Sequence, residues 1–171
     1  GVSYLKNNGQ YPEGLKEQVD SNIEKLEKSM VKKFGGDGYP LLVSVRSGSR
    51  ESMPGMMDTV LNLGLNDHTV RGFAEKVGGR AALDSYRRLY SMFGSTVMGV
   101  KKDLFEELLH EVKKNAGVKN DADLDAKHWK ELIQHQKKLI KEQTGKEFPQ
   151  DVKEQLYMAI NAVFNSWNGK R

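Results

Sequence analysis

Arg46 closes an apolar run, Leu41-Leu42-Val43-Ser44-Val45, and is followed by Ser47, Gly48, Ser49 and a second arginine, Arg50. A guanidinium presents five N–H donors in a planar fork that matches phosphate or carboxylate oxygens. A buried strand beneath Arg46 would hold its backbone still and aim the fork from the strand's end. The small residues after it, with Gly55 further on, let backbone N–H groups come close to an anion. The chemistry this suits is binding an oxyanion and neutralising its charge. The competing reading is structural: Arg46 pairs with a carboxylate, and Met53, Met56 and Met57 fill gaps in the core. Composition alone favours that second reading. The connection over 47–58 is long for a compact domain, and loops of that length tend to carry function or lack order. Its methionines and Pro54 argue against lack of order.

Other residues with chemical potential form weaker patterns. Neither G-x-x-x-x-G-K-[ST] nor G-x-G-x-x-G after a strand occurs, and the Gly-Lys pair at 145–146 reads as a helix end. Ser47, Ser49 and Ser52 have no histidine nearby in sequence to act as base. His128 and His135, seven apart, could share a helix face, but without a carboxylate pattern they make a poor metal site; exposed helix positions are the default, and no metal ligands are assigned. Arg87 and Arg88 follow Tyr86 and read as a solvated face or a surface salt bridge to Asp84. No residue of the chain is assigned a catalytic role.

Composition narrows the classes. The 171 residues are 37% hydrophobic and 29% charged, with a net charge of +4 and no cysteine. That length suffices for one domain with a core, or two small subdomains. Without cysteine there is no disulfide framework, thiolate metal site or catalytic thiol, which fits a reducing compartment; cytoplasm is the default location. The charge bias is mild and lacks a basic stripe with interleaved aromatics, so nucleic acid is ranked last among partners. No apolar run is long enough to cross a membrane, and the first residues lack the pattern of a signal peptide.

The elements that must position these residues follow from periodicity. Residues 13–34 read as a helix with Leu15, Val19, Ile23, Leu26, Met30 and Phe34 on one stripe, stopped by Gly35-Gly36-Asp37-Gly38. Residues 41–45 read as a buried strand. Thr59 to Leu65 reads as a second, with Leu61, Leu63 and Leu65 on one face. Helices are expected over 67–77, 80–98 and 102–115, and another from the turn at Asn120–Asp125 to Gly145. Pro149 suits the first turn of a last helix. The fold class is α+β and mostly helical. The expected organisation is a partial α/β part over 1–65, a helical subdomain over 66–147, and a last helix over 148–171 packing back toward the α/β part. Two strands alone are marginal, so the sheet is expected to be completed by chain outside these residues.

The segments PLLVSVRSGSRESMPGMMDTVLNLGLND (40–67), DSYRRLYSMFGSTVMGV (84–100) and FPQDVKEQLYMAINAVFNSWNGKR (148–171) resemble the N-terminal nucleotide-binding domain of the pyruvate phosphate dikinase family. The resemblance implies an ATP-grasp-like fold. It implies transfer of phosphoryl groups from ATP and inorganic phosphate through a histidine on a separate swivelling domain, then to pyruvate on a barrel domain. It also implies Mg2+ and a homodimeric parent. By the same resemblance Arg46 corresponds to an arginine on the nucleotide's phosphates, and Arg88 to one at the phosphate end of the site. Ser47 belongs to the same phosphate-binding segment, and the loop with Gly55, Asp58 and Thr59 would close over the nucleotide.

The glycine-rich lysine segment, metal-binding acids, catalytic histidine and barrel of that family are not found in these 171 residues. The chain therefore reads as an internal part of one nucleotide-binding domain, inactive alone and weak in binding ATP. The alternative is a non-catalytic helical module of the same descent, binding a protein partner through its helix grooves.

Overall fold

The computed structural model describes residues 14–30, 32, 34–36, 40–46 and 59–167. In chain order its elements are α1 (Leu15–Met30), β1 (Val43–Val45), β2 (Val60–Leu63), α2 (Thr69–Val77), α3 (Gly79–Thr96), α4 (Lys102–Ala116), a single 3-10 turn (Asp121–Asp123), α5 (Ala126–Thr144) and α6 (Val152–Trp167). The architecture is mostly helical with one small antiparallel sheet, the α+β class read from the residue pattern.

β1 and β2 pair with Val43 opposite Leu63 and Val45 opposite Val60, so β2 holds one more residue than β1 between the two pairs. Asn62 takes up that residue at φ 66, a left-handed conformation that asparagine tolerates better than most side chains. Its Nδ2 donates to the Ser85 carbonyl on α3 at 3.2 Å. The bulge breaks strict alternation. Val60, Leu63 and Leu65 are buried, whereas Leu61 is 47% exposed. The expected single face of Leu61, Leu63 and Leu65 is therefore corrected: Leu61 lies on the solvent side.

α3 is the central element. Its Ala82, Leu83, Tyr86, Leu89, Tyr90 and Phe93 are buried, and it packs against α2, α5, α4 and β2. α5 contributes Trp129, Leu132, Ile133 and Ile140 to the same core. α4 reaches α3 through Phe105, whose ring sits where Gly94 has no side chain. A Cβ at Gly94 would lie 2.5 Å from Phe105 Cζ.

Polar side chains set the helix ends. The Asn66 Oδ1 accepts from the N–H groups of His68 and Thr69, which delays α2 to Thr69 rather than residue 67. Asp125 and His128 cap α5 reciprocally, each side chain accepting the other's backbone N–H at 3.2 Å. α5 then ends at Gly145, φ 73. The last helix begins at Val152, three residues after Pro149. Asp151 takes the N-terminal position and its Oδ1 accepts from the Lys153 N–H at 2.9 Å. Pro149 is instead buried in the preceding loop.

α6 packs on both strands. Its Tyr157 hydroxyl donates to Asp20 of α1 at 2.6 Å. Of the expected α1 stripe, Ile23 is buried and Val19 packs against the core. Leu26 and Met30, at 44% and 51% exposure, are not covered by the described residues.

Candidate phosphate-binding site

Arg46 directly follows β1, and Thr59 directly precedes β2. Because Val45 pairs with Val60, the antiparallel ladder sets Arg46 and Thr59 at the same end of the hairpin. Val60 is fully buried and Val45 half-buried, so both positions hang from anchored backbone. Both residues are themselves exposed. Among the described residues no carboxylate pairs with Arg46, so the structural reading of that arginine finds no partner there. Ser47, Gly55 and Asp58 lie outside the described residues, as do Arg50 and the three methionines of the connection.

Arg88 projects from α3 with its side chain 59% exposed, and its Nε stands 3.4 Å from Asp84 Oδ1. The Asn62–Ser85 hydrogen bond ties β2 to α3 one turn before it. The structure thus sets Arg46 and Thr59 at one end of the hairpin, while no hydrogen bond or ion pair among the described residues joins Arg88 to them.

Arg87 behaves differently from its neighbour, and the solvated-face reading is corrected for it. It is buried, and its Nε and one terminal nitrogen each reach Asp84 Oδ1 at 2.8 Å. The guanidinium lies 4.3 Å from the centre of the Trp129 ring and 3.7 Å from Asp121, which Lys113 also contacts at 2.9 Å. Planar stacking with fork-shaped pairing is what a buried arginine does well. The Leu83–Arg87–Tyr90 spacing carried a signal for this position, since it falls within the apolar stripe of α3.

A second polar cluster escaped sequence reasoning. The Tyr86 hydroxyl donates to Asp67 Oδ1 at 2.8 Å. Its proton thus spent, the 3.0 Å contact with Tyr90 must use the Tyr90 proton. Gln150 Nε2 stands 3.4 Å from the Tyr90 oxygen, and Lys137 clasps both Asp67 oxygens at 2.8 Å. Burial, above all, pushes both phenols well above their ordinary value of 10.0. Neither tyrosine supplies an acid or base near neutrality. His128 is the cap of α5, and His135 lies 3.8 Å from Glu131. No three histidine or acidic side chains converge to hold a metal ion among the described residues.

The hairpin end carries an exposed arginine and an exposed hydroxyl residue, groups whose chemistry suits an oxyanion. No nucleophile sits beside a base there among the described residues. No helix of the described chain is long and apolar enough to cross a membrane.

Comparison with known proteins bears on this reading. Residues 7–97, which include Arg46, Thr59 and Arg88, match the family described as pyruvate phosphate dikinase, AMP/ATP-binding domain. The chain is 49% identical over 170 residues to the pyruvate, phosphate dikinase of Rhizobium meliloti (strain 1021), covering 99% of this chain and 19% of that protein. It is 51% identical over 171 residues to that of Giardia intestinalis, 99% of this chain and 19% of the relative. It is 47% identical over 168 residues to the chloroplastic enzyme of Flaveria trinervia, 98% of this chain and 18% of the relative. The chain spans about a fifth of the length of these curated relatives. With the match running across the hairpin and α3, this chain belongs to the pyruvate phosphate dikinase AMP/ATP-binding domain family.

Proposed function

We infer that this chain contributes ATP- and phosphate-binding residues to phosphoryl transfer in a longer pyruvate phosphate dikinase. The reaction converts ATP, phosphate and pyruvate to AMP, pyrophosphate and phosphoenolpyruvate, through a phosphohistidine on another domain of a homodimeric parent. The observation that carries this reading is Arg46: exposed at the hairpin end, free of any carboxylate among the described residues, and inside the family match.

Phosphoryl transfer asks for positioning and charge neutralisation more than covalent chemistry from the protein. Arg46 would bind phosphate oxygens from a strand end, with Thr59 beside it and Ser47, Gly55 and Asp58 on the connecting loop. Arg88 would act at the phosphate end from α3. The two parts are held in register by the Asn62–Ser85 bond. Magnesium finds no ligand cluster among the described residues.

The test is Arg46→Ala in the full-length parent. ATP affinity and the rate of phosphohistidine formation are expected to fall, the rate by about a hundredfold. Unchanged values of both would remove Arg46 from the site. The isolated 171-residue chain is expected to bind ATP weakly and to turn over none, as read by calorimetry and a coupled assay.

A further inference from the structure

A groove of about 510 Å³ lies between α2 and α5, with α3 as its floor. Val70, Ala74, Leu83 and Ile133 give it apolar walls. Arg71 on α2 and Lys130 on α5 line it from opposite sides. Both are exposed, and neither makes an ion pair among the described residues. Lys137, at one end, is already neutralised by Asp67 at 2.8 Å. The groove therefore joins an apolar interior to two uncompensated positive charges. Its volume falls in the range of small-ligand sites, which combine apolar walls with a few convergent polar groups.

We propose that this groove binds a small organic anion: an apolar body seated against Leu83 and Ile133, its carboxylate, sulfonate or phosphate held between Arg71 and Lys130. The site is separate from the phosphate-binding face of α3. Arg88 is five residues beyond Leu83, which at 3.6 residues per turn turns it roughly 140° around the helix from the groove. A ligand there would bear on the packing of α2, α3 and α5, and Arg46, Thr59 and Arg88 are not among the residues that line the groove.

Anilinonaphthalene sulfonate, an aromatic monoanion whose fluorescence rises on apolar binding, is the probe. Titrated into the 171-residue chain, it is expected to bind saturably at a single site. The double variant Arg71→Gln/Lys130→Gln changes exposed side chains only and should weaken the dye about tenfold, through loss of its charge-assisted contacts. Ala74→Trp should plug the groove and remove the signal, while Lys114→Gln, on the exposed side of α4, should bind as the parent chain does. Excess ATP should leave the dye in place. Dye affinity equal in the parent chain and the double variant, absence of saturable binding, or competitive displacement by ATP would each overturn the proposal.

Discussion

Gln155, fully buried on α6, accepts a hydrogen bond from the Gly64 N–H at 3.1 Å across 91 positions of sequence. Its Nε2 donates to the carbonyls of Leu65 and Pro149, both at 2.9 Å. One amide thus satisfies two backbone groups at the exit of β2, where the chain leaves the sheet and has no ladder partner, and a third in the loop before α6. Gly64 itself is at φ 114, and a Cβ there would stand 2.7 Å from the Leu41 carbonyl. Gln155→Leu keeps the volume and strands those groups. It should destabilise the chain by about 2–4 kcal/mol, the cost of buried groups left without partners, read by urea denaturation.

Adjacent arginines on α3 should respond oppositely. Arg87→Ala removes the partner of Asp84 and the cation stacked on Trp129, and should cost roughly 3 kcal/mol. Arg87→Lys should restore only part, since an ammonium cannot reproduce the fork or the stacking. Arg88→Ala removes an exposed side chain with one long contact, and its effect on stability should stay within about 0.5 kcal/mol. Thermal melts of the three variants decide this. The same Arg88→Ala change in the full-length parent is expected to weaken phosphate binding.

Stability should fall in alkali through the tyrosine pair. The folded chain holds the Tyr86 phenol above its ordinary 10.0, by burial first and then by Tyr90 and Asp67. The stabilisation is complete below that pH. It is lost as pH rises beyond it, because the unfolded chain releases a proton that the folded chain retains. Tyr86→Phe removes this linkage. The melting temperature of the parent chain should therefore drop more steeply than the variant's between about pH 10 and 11.5, while lysine titration, common to both, cancels in the difference.

At the α3–α4 contact, Gly94→Ala should be destabilising despite alanine's better helix propensity. The added methyl would meet Phe105 at 2.5 Å and Ile140 at 3.3 Å. The loss should be about 1–3 kcal/mol. Gly94→Ala combined with Phe105→Leu should recover part of it, a coupling that a double-mutant cycle measures.

Sequence alone determined the element order, because apolar side chains recur at helical or strand spacing along the chain and glycines stand where helices end. Gly117 and Gly145, both left-handed at the ends of α4 and α5, are examples. It also determined the family resemblance, which rests on long stretches of residue identity and needs no coordinates. Arg46 could be singled out in the same way, as a cation beside an apolar run.

Tertiary structure decided what periodicity cannot encode. With Val60 buried, alternation puts Leu61 outward, and the extra residue at Asn62 returns Leu63 to the buried face, because one inserted residue shifts the side chains that follow it to the other face. Arg87 and Arg88 are the same residue type, yet a 100° step around α3 puts one on Trp129 and the other in solvent. Asp67, Tyr86, Tyr90 and Gln150 share one hydrogen-bonded cluster although up to 83 positions separate them. Such meetings depend on how whole helices pack, and helix packing depends on all the side chains at the contact together.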